Sequence, residues 1–129
     1  MVSEENKEHI KKGYAAFSSG DVETVMDLFD DDIVWVQPGK SVISGTYRGK
    51  AEVMELLGEF AEKRLTVKVN ALVAEGDTVV ALTEVSVGGE TGQNADVFTV
   101  RDGKTVRAQV HGDTAMLERV FGTRELGAD

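Results

Sequence analysis

The chain has no cysteine, a single proline, one tryptophan and only two histidines in 129 residues. Without cysteine there is no disulfide framework, no thiolate nucleophile and no sulfur-ligated metal. The two histidines, His9 and His111, stand far apart in the sequence with no tight carboxylate cluster beside them, so no metal site is expected. Basic residues are also scarce: 14 against 23 acidic ones leave a net charge of −9. That charge repels phosphate backbones and anionic lipid, so neither nucleic acid nor a membrane surface is an expected partner. No segment approaches the roughly 20 apolar residues needed to span a bilayer. The opening residues Met1 to Lys7 lack the apolar stretch of a signal peptide, which makes the cytoplasm the expected location. The lone Pro38 and the scattered glycines form no low-complexity segment, and order is expected nearly throughout. Neither Gly45 to Lys50 nor Val87-Gly88-Gly89 fits a phosphate-binding loop, and no cofactor is expected.

What is present fits one domain over residues 1–129, since a chain of this size buries roughly two-thirds of the surface its unfolded form exposes. Ile10, Tyr14 and Phe17 recur at helical spacing between Glu5 and Ser18, with Gly20 as the stop. Asp21 can cap a second helix carrying Val22, Val25, Met26 and Phe29, which the acidic run Asp30-Asp31-Asp32 ends. Ile33-Val34-Trp35-Val36 then reads as a short strand stopped at Gln37-Pro38-Gly39, and a Ser- and Gly-rich loop follows. Val53, Leu56, Leu57 and Phe60 share one face of a third helix, Lys50 to Lys63, whose entry Gly45 to Lys50 sets.

From Thr66 the pattern is strand and turn: Thr66 to Ala74, Thr78 to Val87, Ala95 to Arg101 and Lys104 to His111. Short turns between them imply antiparallel neighbours, and Asp102-Gly103 suits a two-residue type I′ turn. A last short helix is expected from Asp113 or Thr114 through Phe121, and Gly122 to Asp129 reads as a tail that frays. Helices first and a four-stranded meander after them give an α+β domain, with helices packed on one face of a strongly bent antiparallel sheet. Val79 to Val85 is apolar in both phases for much of its length, so both sheet faces need cover. Helices cover one; a second copy packed against the outer face covers the other, so a homodimer is expected.

Several segments are similar to those of the nuclear transport factor 2-like superfamily, in particular its ketosteroid-isomerase and SnoaL-like (polyketide cyclase-like) branches. They are Tyr14 to Asp21, Leu28 to Ile33, Gly45 to Lys50, and Asp96 to Val100 before Asp102-Gly103-Lys104. The resemblance covers nearly the whole chain and implies a cone-shaped, barrel-like domain with a ligand pocket between helices and concave sheet. It also implies roles. Tyr14 matches the hydroxyl donor of ketosteroid isomerase, and Asp96 matches the acid two residues before Phe98; that enzyme pairs a tyrosine with a protonated aspartate as an oxyanion hole. Where the family places its catalytic aspartate before a proline, this chain has Gln37 before Pro38. An amide has no useful basicity toward a carbon-bound proton, so true ketosteroid isomerase activity is not expected.

The candidate catalytic residues are therefore Tyr14, Asp96 and Glu84. Asp96 is in phase with Phe98 and Val100, and burial would keep its carboxyl protonated. Glu84 shares a phase with Val80 and Leu82 and is a replacement base if that face is inward; if Val79, Ala81, Thr83 and Val85 are inward, it points out. Trp35, Gln37 and Phe98 are the candidate ligand-binding residues. His111 and Asp113 also share a phase, but Val106, Ala108 and Val110 occupy the apolar one, which assigns His111 to the outer face and Asp113 to a helix cap. His9 falls on the polar side of the first helix and is expected to be solvated. The expected ligand is a small apolar molecule with a carbonyl or phenol oxygen, and the alternative is a non-catalytic binding or dimerisation module of the same fold.

Overall fold

The computed structural model describes residues 2–124. The chain runs α1 (Val2–Ser19), α2 (Val22–Leu28), β1 (Phe29–Gln37), β2 (Gly45–Arg48), α3 (Gly49–Glu62), β3 (Thr66–Glu75), β4 (Thr78–Val87), β5 (Glu90–Arg101), β6 (Lys104–His111) and α4 (Thr114–Phe121). The strands make one six-stranded sheet in the order β2-β1-β6-β5-β4-β3. Every pairing is antiparallel except β1 against β6, so the expected meander is extended by two strands that come from the N-terminal half. The sheet is curved but open, with β2 and β3 as its edges, so the barrel part of the expectation gives way to a concave half-shell.

Local signals account for most of the elements. Asp21 caps α2, its carboxylate accepting from the Thr24 amide at 3.2 Å, and Asp113 caps α4 through the Met116 amide at 2.9 Å. The Asp102-Gly103 turn has φ of 51° and 72°, the pair of positive values that a type I′ hairpin requires.

Three segments depart from the sequence reading. Phe29 and the acidic run belong to β1 rather than to the end of α2, because Phe29 is anchored beside Thr105 of β6. The Ser- and Gly-rich loop contains β2, whose four residues pair with β1 from Val34↔Arg48 to Gln37↔Gly45. β5 starts five residues early, at Glu90, since the hairpin through Gly88-Gly89 holds Thr91, Gly92, Gln93 and Asn94 in register with β4. The predicted tail is also anchored at its start: Thr123 bridges to Ser41 and the Arg124 guanidinium donates to the Ser44 carbonyl at 2.6 Å. The rest of that tail, 125–129, lies outside the described residues.

The core lies on the concave side. Val79, Ala81, Thr83, Val85 and Val87 of β4 are all buried, while Leu82 between them is 43% exposed. α1 packs across β3 and β4, and α3 across β1 and β2. Ile33, Val53 and Leu56 fill the α3 side of the core; Ile10, Val79, Phe98 and Val100 fill the α1 side; Trp35 touches both. Burying each such side chain contributes about 1.5–3 kcal/mol. Between these two clusters the packing leaves a space.

Candidate functional site

That space is a cavity of about 110 Å³, bounded by residues of all four helices and by the inner faces of β1, β3, β4, β5 and β6. One ordered water needs only roughly 10–15 Å³, so there is room for a small organic ligand. Its walls are mostly apolar, with Trp35, Phe98, Phe29 and Tyr14 meeting edge to face. Ring centroids are 5.9 Å apart for Tyr14 and Phe98, 6.4 Å for Trp35 and Phe98, and 6.3 Å for Phe29 and Trp35.

Polar groups converge on this wall. The Tyr14 hydroxyl, on the inner face of α1, donates to Oδ2 of Asp96 at 2.5 Å. Asp96 is only 8% exposed, and its other oxygen, Oδ1, is buried with no hydrogen-bond partner among the described residues. Burial pushes its carboxyl up to about 6; the Tyr14 hydroxyl, the Asn94 amide and the His111 ring pull the other way. The Tyr14 phenol is pushed up as well, first by burial and then by the neighbouring carboxylate. Gln37 ends β1 4% exposed, and its Oε1 accepts from the Trp35 indole N–H at 3.0 Å. Gln37 lines the cavity, and its amide N–H groups make no hydrogen bond among the described residues. The turn beyond it is fixed by Ser44, whose hydroxyl donates to the Pro38 carbonyl at 2.7 Å.

Tyr14, Trp35, Gln37, Asp96 and Phe98 are thus brought to one cavity. Glu84 is not. With Val79, Ala81, Thr83 and Val85 inward, strand alternation puts Glu84 on the convex face beside Leu82, so the replacement-base reading is corrected. Asp96 is the one carboxylate lining the cavity among the described residues. His111 is exposed on the convex face, in the phase expected of it.

Two lining residues escaped the sequence reading. Asn94 sits two positions before Asp96 on the same face of β5, and its carboxamide lies against Gly112, where an added β-carbon would stand 2.0 Å from Oδ1. Its phase with Asp96 was the available signal. His9 is partly buried rather than solvated: its Nε2 is 2.9 Å from the hydroxyl of Thr105, which is itself 2% exposed. No sequence signal ties residue 9 to residue 105.

Helices on the concave face of a curved, mostly antiparallel sheet, with a cavity between them, define a protein of the nuclear transport factor 2-like superfamily. Within it, the chain belongs to the SnoaL-like domain family, whose model matches residues 10–108. An uncharacterized protein of Mycobacterium tuberculosis is 27% identical over 101 residues, covering 78% of this chain and 69% of that protein. The structure of Bal32a, from a soil-derived mobile gene cassette, aligns with a TM-score of 0.88 at 25% identity, over 94% of this chain and 99% of Bal32a. TerC, co-crystallized with polyporic acid, aligns with a TM-score of 0.79 at 26% identity, over 92% of this chain and 99% of TerC.

Proposed function

We propose that the cavity binds a small, largely apolar molecule through one oxygen, as a carbonyl, enol or phenol, and acts on it as an isomerase- or cyclase-like enzyme. The observation that carries this reading is the Tyr14–Asp96 pair: one carboxylate oxygen held by the phenol at 2.5 Å, the other buried without a hydrogen-bond partner among the described residues. A buried acceptor without a partner costs about 1–3 kcal/mol, which a ligand hydroxyl would offset. With its carboxyl near 6, Asp96 can hold or release one proton around neutral pH. An enol and its enolate differ by that one proton, so the pair can follow a ligand oxygen through either state. Gln37 supplies an N–H to orient the ligand but no base, which argues against ketosteroid isomerisation itself. With Glu84 turned outward, Asp96 is the one carboxylate lining the cavity among the described residues, and its ionised form, directly or through a water, is what can take a carbon-bound proton.

Planar phenols that mimic an enolate are the test. Wild-type protein is expected to bind naphthol at least tenfold more tightly than Asp96→Ala, by calorimetry. Equal binding by the two proteins would end this reading.

A second reading concerns assembly. Two apolar rows cross the convex face in register, Val73-Val80-Val97 and Ala71-Leu82-Ala95, and Val73 is 59% exposed. We infer that a second copy covers them, giving a homodimer that leaves each cavity on the far side of its sheet. The alternative, a non-catalytic ligand-binding or dimerisation module, predicts no turnover of any carbonyl compound that binds. The lack of cysteine and of any long apolar helix among the described residues fits a cytoplasmic protein.

A further inference from the structure

The cavity has a second polar end that the Tyr14–Asp96 reading does not use. His9 and Tyr14 are five residues apart on α1, about 7–8 Å along the helix axis. They occupy opposite margins of its cavity-facing stripe, with Ile10 and Gly13 between them. His9 lies where α1, the last turn of α2 and the start of β6 meet. Lys104 closes the same junction by donating to the Asp27 carbonyl. His9 and Leu28 also line a surface depression formed by Glu5, Glu8, Lys11 and Lys12, so they stand between the interior and the outside.

The hydrogen-bond capacity at this end is specific. The His9 Nε2 is paired with the Thr105 hydroxyl at 2.9 Å, and the Leu28 carbonyl stands beside the ring. A carbonyl at the ring favours the proton on Nδ1, which leaves Nε2 as an acceptor and makes Thr105 donate its hydroxyl proton to it. Burial is the largest influence on the ring and holds its pKa below the usual histidine range; the Leu28 carbonyl opposes it, and the Lys104 and Lys12 charges add to it, which keeps the ring neutral at neutral pH. Among the described residues the Thr105 oxygen then accepts from no other group, and it has no proton left to give. A hydroxyl with that arrangement accepts a donor and does not satisfy a carbonyl.

We propose that His9 and Thr105 form a second ligand-binding pole of the cavity, which takes a hydroxyl group. The substrate class is thereby narrowed to flat, apolar molecules with oxygen functions at both ends, one held by Tyr14 and Asp96 and a hydroxyl at the other held by Thr105. This rests on the reading of the Tyr14–Asp96 end as an oxygen site. A few fixed polar groups in an apolar pocket are what set a ligand's direction of entry.

Two probes separate the poles: naphthol, with one hydroxyl, and a dihydroxynaphthalene with hydroxyls at opposite ends of the fused rings. Wild-type protein is expected to bind the diol about five- to tenfold more tightly than naphthol, the worth of one further hydrogen bond. That ratio should fall to about one in Thr105→Val, and should persist in Asp96→Asn while both affinities drop. In wild type, the diol but not naphthol should shift the side-chain nitrogen resonances of His9, a response that a purely structural histidine would not give. A ratio near one in wild type, an unchanged ratio in a folded Thr105→Val, or no response of the His9 nitrogens to the diol overturns the second pole and leaves the first intact. If neither probe binds wild type, the Tyr14–Asp96 reading fails and the second pole fails with it.

Discussion

Tyr14 and Asp96, 82 positions apart, are joined by a 2.5 Å hydrogen bond that uses only one of the two carboxylate oxygens. The bond is buried in the cavity wall, where Tyr14 also meets Phe98 edge to face, so its electrostatics reach both folding and binding.

Stability should depend on pH through Asp96. Its carboxyl goes from 3.8 when unfolded to about 6 when folded, so between those values the native state binds the extra proton. The group therefore favours folding below about pH 4, and that contribution is lost as pH rises through about 6, a penalty of about 3 kcal/mol. Asp96→Asn does not titrate. Relative to wild type, its unfolding free energy should gain on the order of 2–3 kcal/mol between about pH 4 and pH 7, measured by urea denaturation.

Tyr14→Phe removes the donor that lowers the Asp96 carboxyl. The Asp96 titration, followed by carboxyl carbon NMR, should move above about 6, and naphthol affinity should drop about tenfold or more. An Asp96 that titrates near 4 in wild type would contradict the buried-dyad geometry.

Gly112→Ala tests how Asn94 is placed. A β-carbon would fall 2.6 Å from the Asn94 Cγ, so the carboxamide must leave its present position near Asp96. Since the Asn94 amide lowers the Asp96 carboxyl, its pKa should rise in this variant. In Asn94→Ala the added methyl has room, and Gly112→Ala should then have no further effect on that titration, a coupling read from the double-mutant cycle.

Glu84→Gln should leave probe binding unchanged, because this side chain lies on the convex face. Leu82→Glu on the same face should instead act on assembly, turning a dimer into a monomer in sedimentation velocity without loss of the cavity's ligand affinity. A wild-type monomer at micromolar concentration would remove the homodimer.

Much of the architecture was legible in the sequence because its signals are local. Helical spacing marked α1 and α3, Asp21 and Asp113 marked two caps, and Asp102-Gly103 marked a hairpin; each acts over a few residues. Tyr14, Gln37 and Asp96 were legible as a candidate site only through family likeness, since no period relates positions on α1, β1 and β5. β2 went unread because four residues with no apolar alternation become a strand only by pairing with β1. The start of β5 went unread for a similar reason, its polar residues being held by the register of β4.

By itself, then, the sequence determined most of the helices and strands, though not β2, the start of β1 or the start of β5, together with the net negative charge and an acid and a phenol in phase with apolar neighbours. The tertiary structure alone decided that β1 would lie parallel beside β6, which carries Phe29 and Trp35 across to Thr105 and Ala108. It also decided that Glu84 would face away from the cavity and that His9 would meet Thr105. Those outcomes depend on which sheet face the helices cover and on contacts across most of the chain, and neither is encoded in any short run of residues.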